Sequence, residues 1–379
     1  MRRNTLHVIA VGGFLLGWLL LMAMPFGCAS EDTRKTTEIY PGVYYTIIHR
    51  PAVPNYIHVV EIRRDRAAVG VHAIKTGRFL RATMPLAEAL ADVEALAAIN
   101  GDFFSQEGTP SGAQVSDGEP VKDGPESWYA LGIAGKEMFI DRVHFSGRVF
   151  LNDERSFSIN GFNRPRQDKE IIYYNAYYGT SSGTNAYGVE LVLRKPTGGA
   201  AVGDSAEYLL LDIDSTGNHL ITDSTVVLSF HGDIHKNIIR DLRIGQTVTI
   251  SIESQPSYGA ISTLIGGYPL LVRKKQNMIA SEINKTNFFT DANARTAVGY
   301  SDESIFLVCV DGDQPNYSVG MSLDDLAELM IELGCDDALN LDGGGSTTMR
   351  IRGQLANRPS GGGLERNISN ALIVMPLRQ

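Results

Sequence analysis

From Val43 onward the chain alternates apolar and polar positions in short runs. Val43-Tyr44-Tyr45-Thr46-Ile47-Ile48 is followed by Ile57-His58-Val59-Val60-Glu61-Ile62, with Pro51, Pro54 and Asn55 between them. Runs of β-branched and aromatic residues broken by turn formers predict antiparallel strands. Similar runs at 95–99, 130–133, 190–193, 208–213, 225–229, 247–252, 270–272, 305–310, 338–341 and 370–375 predict more of them. Helical spacing is found in two places. Thr83 and Pro85 open a segment whose Leu86, Ala89, Leu90 and Val93 share one face. Ser322 with Asp325 three residues on forms a capping box ahead of the stripe Leu323, Leu326, Met330 and Leu333, and Gly334 closes it. Strand 305–310, this helix and strand 338–341 in succession predict a local βαβ unit.

These elements predict an α+β fold: a mixed, largely antiparallel sheet with a few packed helices and a β-rich inserted section. The expected boundaries are a leader at 1–28, a polar tether at 29–38, an N-terminal part of the main domain at 39–124, the β-rich insertion or subdomain at 125–255, and a C-terminal part at 256–379.

Arg2 and Arg3 precede an apolar stretch from Val8 to Phe26 that ends at Pro25, Gly27 and Cys28. A basic start, an apolar run and small residues describe a secretory signal. The run is also close to the ~20 residues that cross a bilayer, so an uncleaved anchor is the alternative. Cys28 after Gly27 adds a third form, a bacterial lipoprotein cut and acylated at that cysteine. Each form implies an extracytoplasmic protein: periplasmic, secreted or membrane-anchored. Contact with the membrane is expected only through the leader or a lipid on Cys28.

The net charge is −9, and loss of Arg2 and Arg3 with a leader would take it to about −11. An acidic surface is a poor partner for nucleic acid, whose binding needs phosphate neutralisation. Cys309 lies within the apolar run 305–310 and reads as a buried free thiol. No His/Cys cluster has zinc spacing.

Chemistry concentrates where apolar runs stop and polar, glycine-rich text begins: 100–104, 295–299, Asp311-Gly312-Asp313, and 342–348. Strand ends of this kind can converge on a cleft. Asp-Gly alone is ordinary turn chemistry, but four such ends, with an arginine and several carboxylates, point to a site. Asp342-Gly343-Gly344-Gly345-Ser346-Thr347 is the sharpest, because successive glycine amides can form an anion-binding concavity and the two hydroxyls add donors. It lacks the Gly-Lys-Ser/Thr of a nucleotide-binding loop. Arg295 and Arg366 are candidate phosphate partners, since a guanidinium gives paired charge-assisted hydrogen bonds. On these residues alone, Arg366 could equally be paired with Glu365.

Asn100-Gly101-Asp102-Phe103-Phe104, Gly266-Gly267-Tyr268-Pro269-Leu270-Leu271, Ala294-Arg295-Thr296-Ala297-Val298-Gly299, Asp311-Gly312-Asp313-Gln314, Asn340 to Met349, and Glu365 to Leu372 occur in that order. Together they resemble the phosphodiester glycosidase family over roughly residues 95–120 and 260–375. The resemblance implies hydrolysis of a bond between a sugar and phosphate in a phosphorylated carbohydrate, without a cofactor. The chain departs in placing Asp102 where many relatives have a small residue, and it lacks the cysteines of one branch.

On that footing Arg295 and the Gly343–Ser346 amides are expected to hold the phosphate, with Arg366 in support. Asp342 or Glu365 would be the catalytic carboxylate, and Asn100 would orient the sugar or water. Asp102, Phe103, Gly267, Gly343, Gly344, Gly345, Ser346, Thr347 and Arg366 are the expected substrate-binding set. One alternative makes Asp102, Asp311, Asp313 and Asp342 oxygen ligands of Ca²⁺ or Mg²⁺ in a metal-dependent phosphodiesterase. Another is a non-catalytic envelope protein that binds phosphate-bearing polysaccharide.

Overall fold

A computed structural model describes residues 31–151, 155–196, 201–235, 239–279 and 286–377. The leader and Cys28 lie outside these residues. Among the described residues no helix is long and apolar enough to cross a membrane.

The fold is largely β, not α+β: among the described residues twenty-six strands stand against three α-helices, Leu86–Ala89, Asn287–Thr290 and Leu323–Glu332. The expectation of several packed helices fails because only one periodic stretch is long enough to bury a stripe. In Leu323–Glu332 the Ser322 hydroxyl accepts from the Asp325 amide at 3.1 Å, and Leu323, Leu326 and Met330 are fully buried. The stretch from Pro85 keeps only Leu86–Ala89 helical, and its chain turns before Val93 to enter the strand Ala97–Asn100. A single turn fixes backbone for too few hydrogen bonds to extend by itself.

The strands form four sheets. The first, of eight strands, has at its centre Asn55–Arg63, Ser304–Val310, Arg295–Tyr300 and Asp337–Asn340. All seven residues of Ser304–Val310 are buried. Ile305, Leu307 and Cys309 pack into one core, while Phe306, Val308 and Val310 pack with Leu323, Leu326 and Met330 on the opposite face. A strand covered on both sides reads as a continuous apolar run rather than an alternating one. Arg295–Tyr300 lies antiparallel between Ser304–Val310 and Asp337–Asn340. The predicted βαβ unit is therefore split by an intervening strand. Cys309 and Cys335 are both buried and unpaired.

The second eight-stranded sheet is built from strands between His144 and Gln255 and has its own large core. Tyr129–Ala134 and Glu137–Asp141, assigned from sequence to the insertion, instead pair in a third sheet with Ile261–Gly267. At the N-terminus, Thr33–Tyr40 is an edge strand on Val43–Arg50, so most of the expected tether is part of the first sheet. The fourth sheet sets Ala97–Asn100 between Met349–Ile351 and Asn370–Pro376. The ends of Ala97–Asn100, Arg295–Tyr300 and Asp337–Asn340 are thereby brought to one place.

Candidate active site

Asn100 is completely buried and ties three of the predicted segments together. Its Oδ1 accepts from the Thr296 hydroxyl at 2.7 Å and from the Thr348 amide at 3.1 Å, while Nδ2 donates to the Asp342 carbonyl at 2.6 Å. Backbone bonds complete the junction: the Asp342 amide donates to Gly101 O at 2.9 Å, and the Gly344 amide to Ala294 O at 2.7 Å. Gly312 joins the same cluster, since an added Cβ would lie 2.2 Å from the Ala294 nitrogen. All four strand ends singled out from the sequence therefore meet.

Asp342 remains partly accessible at this junction, and Asp313 is exposed beside it. Burial pushes its pKa up, and Ser346, Arg366 and the Gly343 amide, 3.0 Å from Oδ1, pull it back. The Ser346 hydroxyl is itself buried and makes no hydrogen bond of normal geometry. Arg366 is exposed beside the glycine loop, and its guanidinium carbon sits 5.8 Å from the centre of the Phe104 ring. It has no carboxylate partner within ion-pair distance among the described residues. An exposed guanidinium with donors to spare can take a phosphate.

Four aromatic side chains flank the junction. Trp128 stacks on Tyr268 at 5.2 Å, Tyr268 stacks on Phe288 at 6.3 Å, and Phe103 meets both Trp128 and Phe288 edge-on at 6.0 and 6.1 Å. All four are partly exposed, so the wall offers ring faces to a ligand. Asn340 holds Tyr268 in place, its Nδ2 donating to the Tyr268 carbonyl at 2.7 Å.

Other expected roles are corrected. Arg295 is buried, and its guanidinium donates to the carbonyls of Met321, Phe288 and Asp291 at 2.9, 3.1 and 2.8 Å. Burial pushes its pKa down to about 10. Three of its five N–H donors are thus committed to backbone carbonyls, so the role the structure gives it is to brace Met321 and the 288–291 turn. Glu365 is bound to Arg350 at 2.8 Å and accepts from the Ala87 amide, so it is a structural partner rather than a catalytic base. It also does not pair with Arg366.

The glycine loop is not an open nest. The amides of Gly343, Gly344 and Ser346 donate to Asp342 Oδ1, Ala294 O and Gly343 O, which leaves at most that of Gly345 to face a ligand. Thr347 is buried, accepting from Thr296 at 3.3 Å. Gly267 is a packing position: a Cβ there would lie 2.5 Å from the Asn340 carbonyl oxygen.

Asp102 is fully buried, and its carboxylate takes the Gly112 amide at 2.5 Å and the Trp128 indole N–H at 3.0 Å. Its observed role is to position Trp128 from within the core. Asp311 accepts from Tyr317 Oη, Asn357 Nδ2 and the Arg358 amide, each at 3.0 Å, and lies 3.3 Å from His58 Nε2. Asp313 accepts from the Ala294 amide at 3.4 Å. Among the described residues no three His, Cys, Asp or Glu side chains gather as a metal site, so the four aspartates do not form the alternative ligand set.

Sequence reasoning missed Trp128, Tyr268 and Phe288. Tyr268 was named only within the Gly266–Leu271 motif, Phe288 lay in a stretch given no element, and Trp128 lay in the section assigned to the insertion.

Residues 188–375, which carry Arg295, Asp342 and Arg366, match the model of the phosphodiester glycosidase family. That stretch of the chain belongs to the phosphodiester glycosidases. The human N-acetylglucosamine-1-phosphodiester alpha-N-acetylglucosaminidase is 33% identical over 101 residues, 26% of this chain and 19% of that protein. The bovine enzyme of the same name is 33% identical over 102 residues. The chain's match thus spans about a fifth of the length of these curated relatives. Two solved structures share the fold. A hypothetical protein from Synechocystis has a TM-score of 0.67 at 20% identity, covering 90% of this chain and 63% of that one. A protein of Burkholderia pseudomallei described as exported has a TM-score of 0.64 at 19% identity, covering 91% and 96%.

Proposed function

We propose that the protein hydrolyses a sugar-1-phosphodiester linkage in a phosphorylated glycan. The observation that carries this reading is the meeting of Asp342, exposed Arg366 and the aromatic wall at one junction of strand ends inside the family-matched segment. A sugar ring packs against the wall of Phe103, Trp128, Tyr268 and Phe288, and the phosphate lies at Arg366. Water attacks the anomeric carbon and passes a proton to Asp342. The bond from that carbon to the phosphate oxygen breaks, and its electron pair leaves with the phosphate monoester. A phosphate monoester is a weak base and departs without a general acid. This agrees with a junction in which Glu365 is already committed to Arg350. Arg366 stabilises the charge that develops on the leaving group. The reading needs no cofactor.

We also infer that the protein works outside the cytoplasm, on the basic-then-apolar character of residues 2–26. Cell fractionation tests this.

The activity is tested with purified protein on a panel of sugar-1-phosphodiesters, with release of reducing sugar measured with and without chelator. One or more should be cleaved equally in both conditions, and Asp342→Asn should lower kcat at least ~100-fold, the usual reach of acid–base catalysis. Cleavage lost in chelator would restore a metal-dependent reading. Binding of a phosphorylated polysaccharide without cleavage would favour the envelope-binding reading.

A further inference from the structure

Two cavities adjoin each other away from Asp342 and Arg366. The first, about 350 Å³, lies where Thr109, Lys122 and Gly124 face Asn160 and Phe162 of the second sheet. The second, about 270 Å³, is lined by Tyr174, Ser182, Thr184, Asn185 and His231. Pro165 and Tyr178 border both, so the two form one path. The path starts one chain thickness from the aromatic wall. Lys122 Nζ lies 3.4 Å from the Gly112 carbonyl oxygen, and the Gly112 amide holds Asp102, which in turn holds Trp128.

Most charged groups along the path are already engaged by partners. Arg164 forms a fork with Glu170 at 2.6 and 2.8 Å, and Arg81 lies 3.6 Å from Glu107. Lys122 donates to the carbonyls of Ser111 and Asp123, and His231 lies 3.3 Å from Asp168. Arg166 is spent on Ser229 Oγ, Phe230 O and Asn185 Oδ1. Such a lining has little to offer an anion. It does present an oxygen acceptor: the partly exposed Thr184 hydroxyl donates to the completely buried Glu190 at 2.9 Å and accepts from the Asn218 amide at 3.2 Å, which leaves one lone pair for another donor. Tyr178, partly exposed and 4.5 Å from the Tyr174 ring, adds an aromatic face. An aromatic face with a fixed acceptor suits a neutral, hydroxyl-rich ligand.

We propose that the two cavities are successive subsites for neutral sugar residues of a glycan whose phosphodiester lies at Asp342 and Arg366. The position of the phosphodiester rests on the proposed function; the sugar subsites rest on the cavities alone. The first test is calorimetric titration of the whole protein with maltotetraose, mannotetraose and chitotetraose. At least one should bind, and Tyr178→Ala should weaken it at least tenfold. Should Tyr178→Ala fail to fold, Gln167→Ala, which alters an exposed lining residue, should weaken binding at least threefold. No binding by any of the three sugars, or binding that the folded variants leave unchanged, overturns the subsites. The second test compares the methyl diester of the cleaved sugar 1-phosphate with the same diester carried on a longer glycan. Tyr178→Ala should lower kcat/KM for the glycan-borne diester at least tenfold more than for the methyl diester, through KM. Equal losses overturn the link between the subsites and the junction. If neither diester is cleaved while the tetrasaccharide binds as expected, the proposed activity falls and the subsites stand.

Discussion

Asp102 should make the stability of this protein fall as pH rises from about 4 to 7. Its side chain is completely buried, and that burial pushes its pKa up to about 7 even though the Gly112 amide, the Trp128 indole and the nearby Lys122 all favour the ionised form. The unfolded carboxyl keeps its ordinary value of 3.8. Below pH 3.8 both states hold the proton and the site exacts no penalty. Between the two values the unfolded chain ionises while the folded one does not, so stability drops by about 1.4 kcal/mol per pH unit. Above 7 both are ionised and the loss levels off near 4 kcal/mol, an order-of-magnitude figure.

Asp102→Asn removes the titration. Asparagine can accept one of the two hydrogen bonds, so the variant also carries a pH-independent loss of about 1–3 kcal/mol from the other donor. Urea unfolding of both proteins at pH 4.5 and 7.5 separates the two effects. The stability gap between wild type and variant should move in the variant's favour by about 3 kcal/mol across that interval. Lys122, also lowered by burial, titrates beside Asp102, so the pair should be repeated in a Lys122→Gln background. Parallel pH profiles for wild type and Asp102→Asn would show that the buried carboxyl is not held protonated, and the reasoning would fail.

Arg295→Lys should destabilise the fold by about 2–4 kcal/mol in urea unfolding, because an ammonium's donors radiate from one atom and cannot span the carbonyls that Nε and Nη2 reach on Met321, Phe288 and Asp291. Unchanged stability with lost turnover would return Arg295 to a direct catalytic role. Arg366→Ala should leave stability within about 0.5 kcal/mol, since the side chain is exposed. It should lower kcat/KM for a sugar-1-phosphodiester by roughly 10–100-fold, the worth of a charge-assisted hydrogen bond. An unaltered kcat/KM would remove Arg366 from the phosphate site.

Much of the strand content was legible in local pattern, because a strand's burial is written in its own residues. The Leu323–Glu332 helix was legible for the same reason, its cap and its stripe both lying within a few residues. Fold class was not, because propensity marks where a helix can start, while its length depends on what neighbouring strands leave to be covered. The sequence also singled out four polar strand ends, which the structure brings together, and Asn100, Arg295, Asp342 and Arg366 were named from it.

Their division of labour was a tertiary matter. Arginine and glutamate look alike in sequence whether their charges face a ligand or a partner. Only the packed structure spends Arg295 on three carbonyls and Glu365 on Arg350, and leaves Arg366 exposed. The aromatic wall was likewise invisible, since Phe103, Trp128, Tyr268 and Phe288 come from segments far apart in the chain and meet only through stacking. Residue type and local spacing determine which groups are present and which strands they end. Burial and long-range hydrogen bonding determine which of those groups still have a free donor, acceptor or charge, and that alone makes a site.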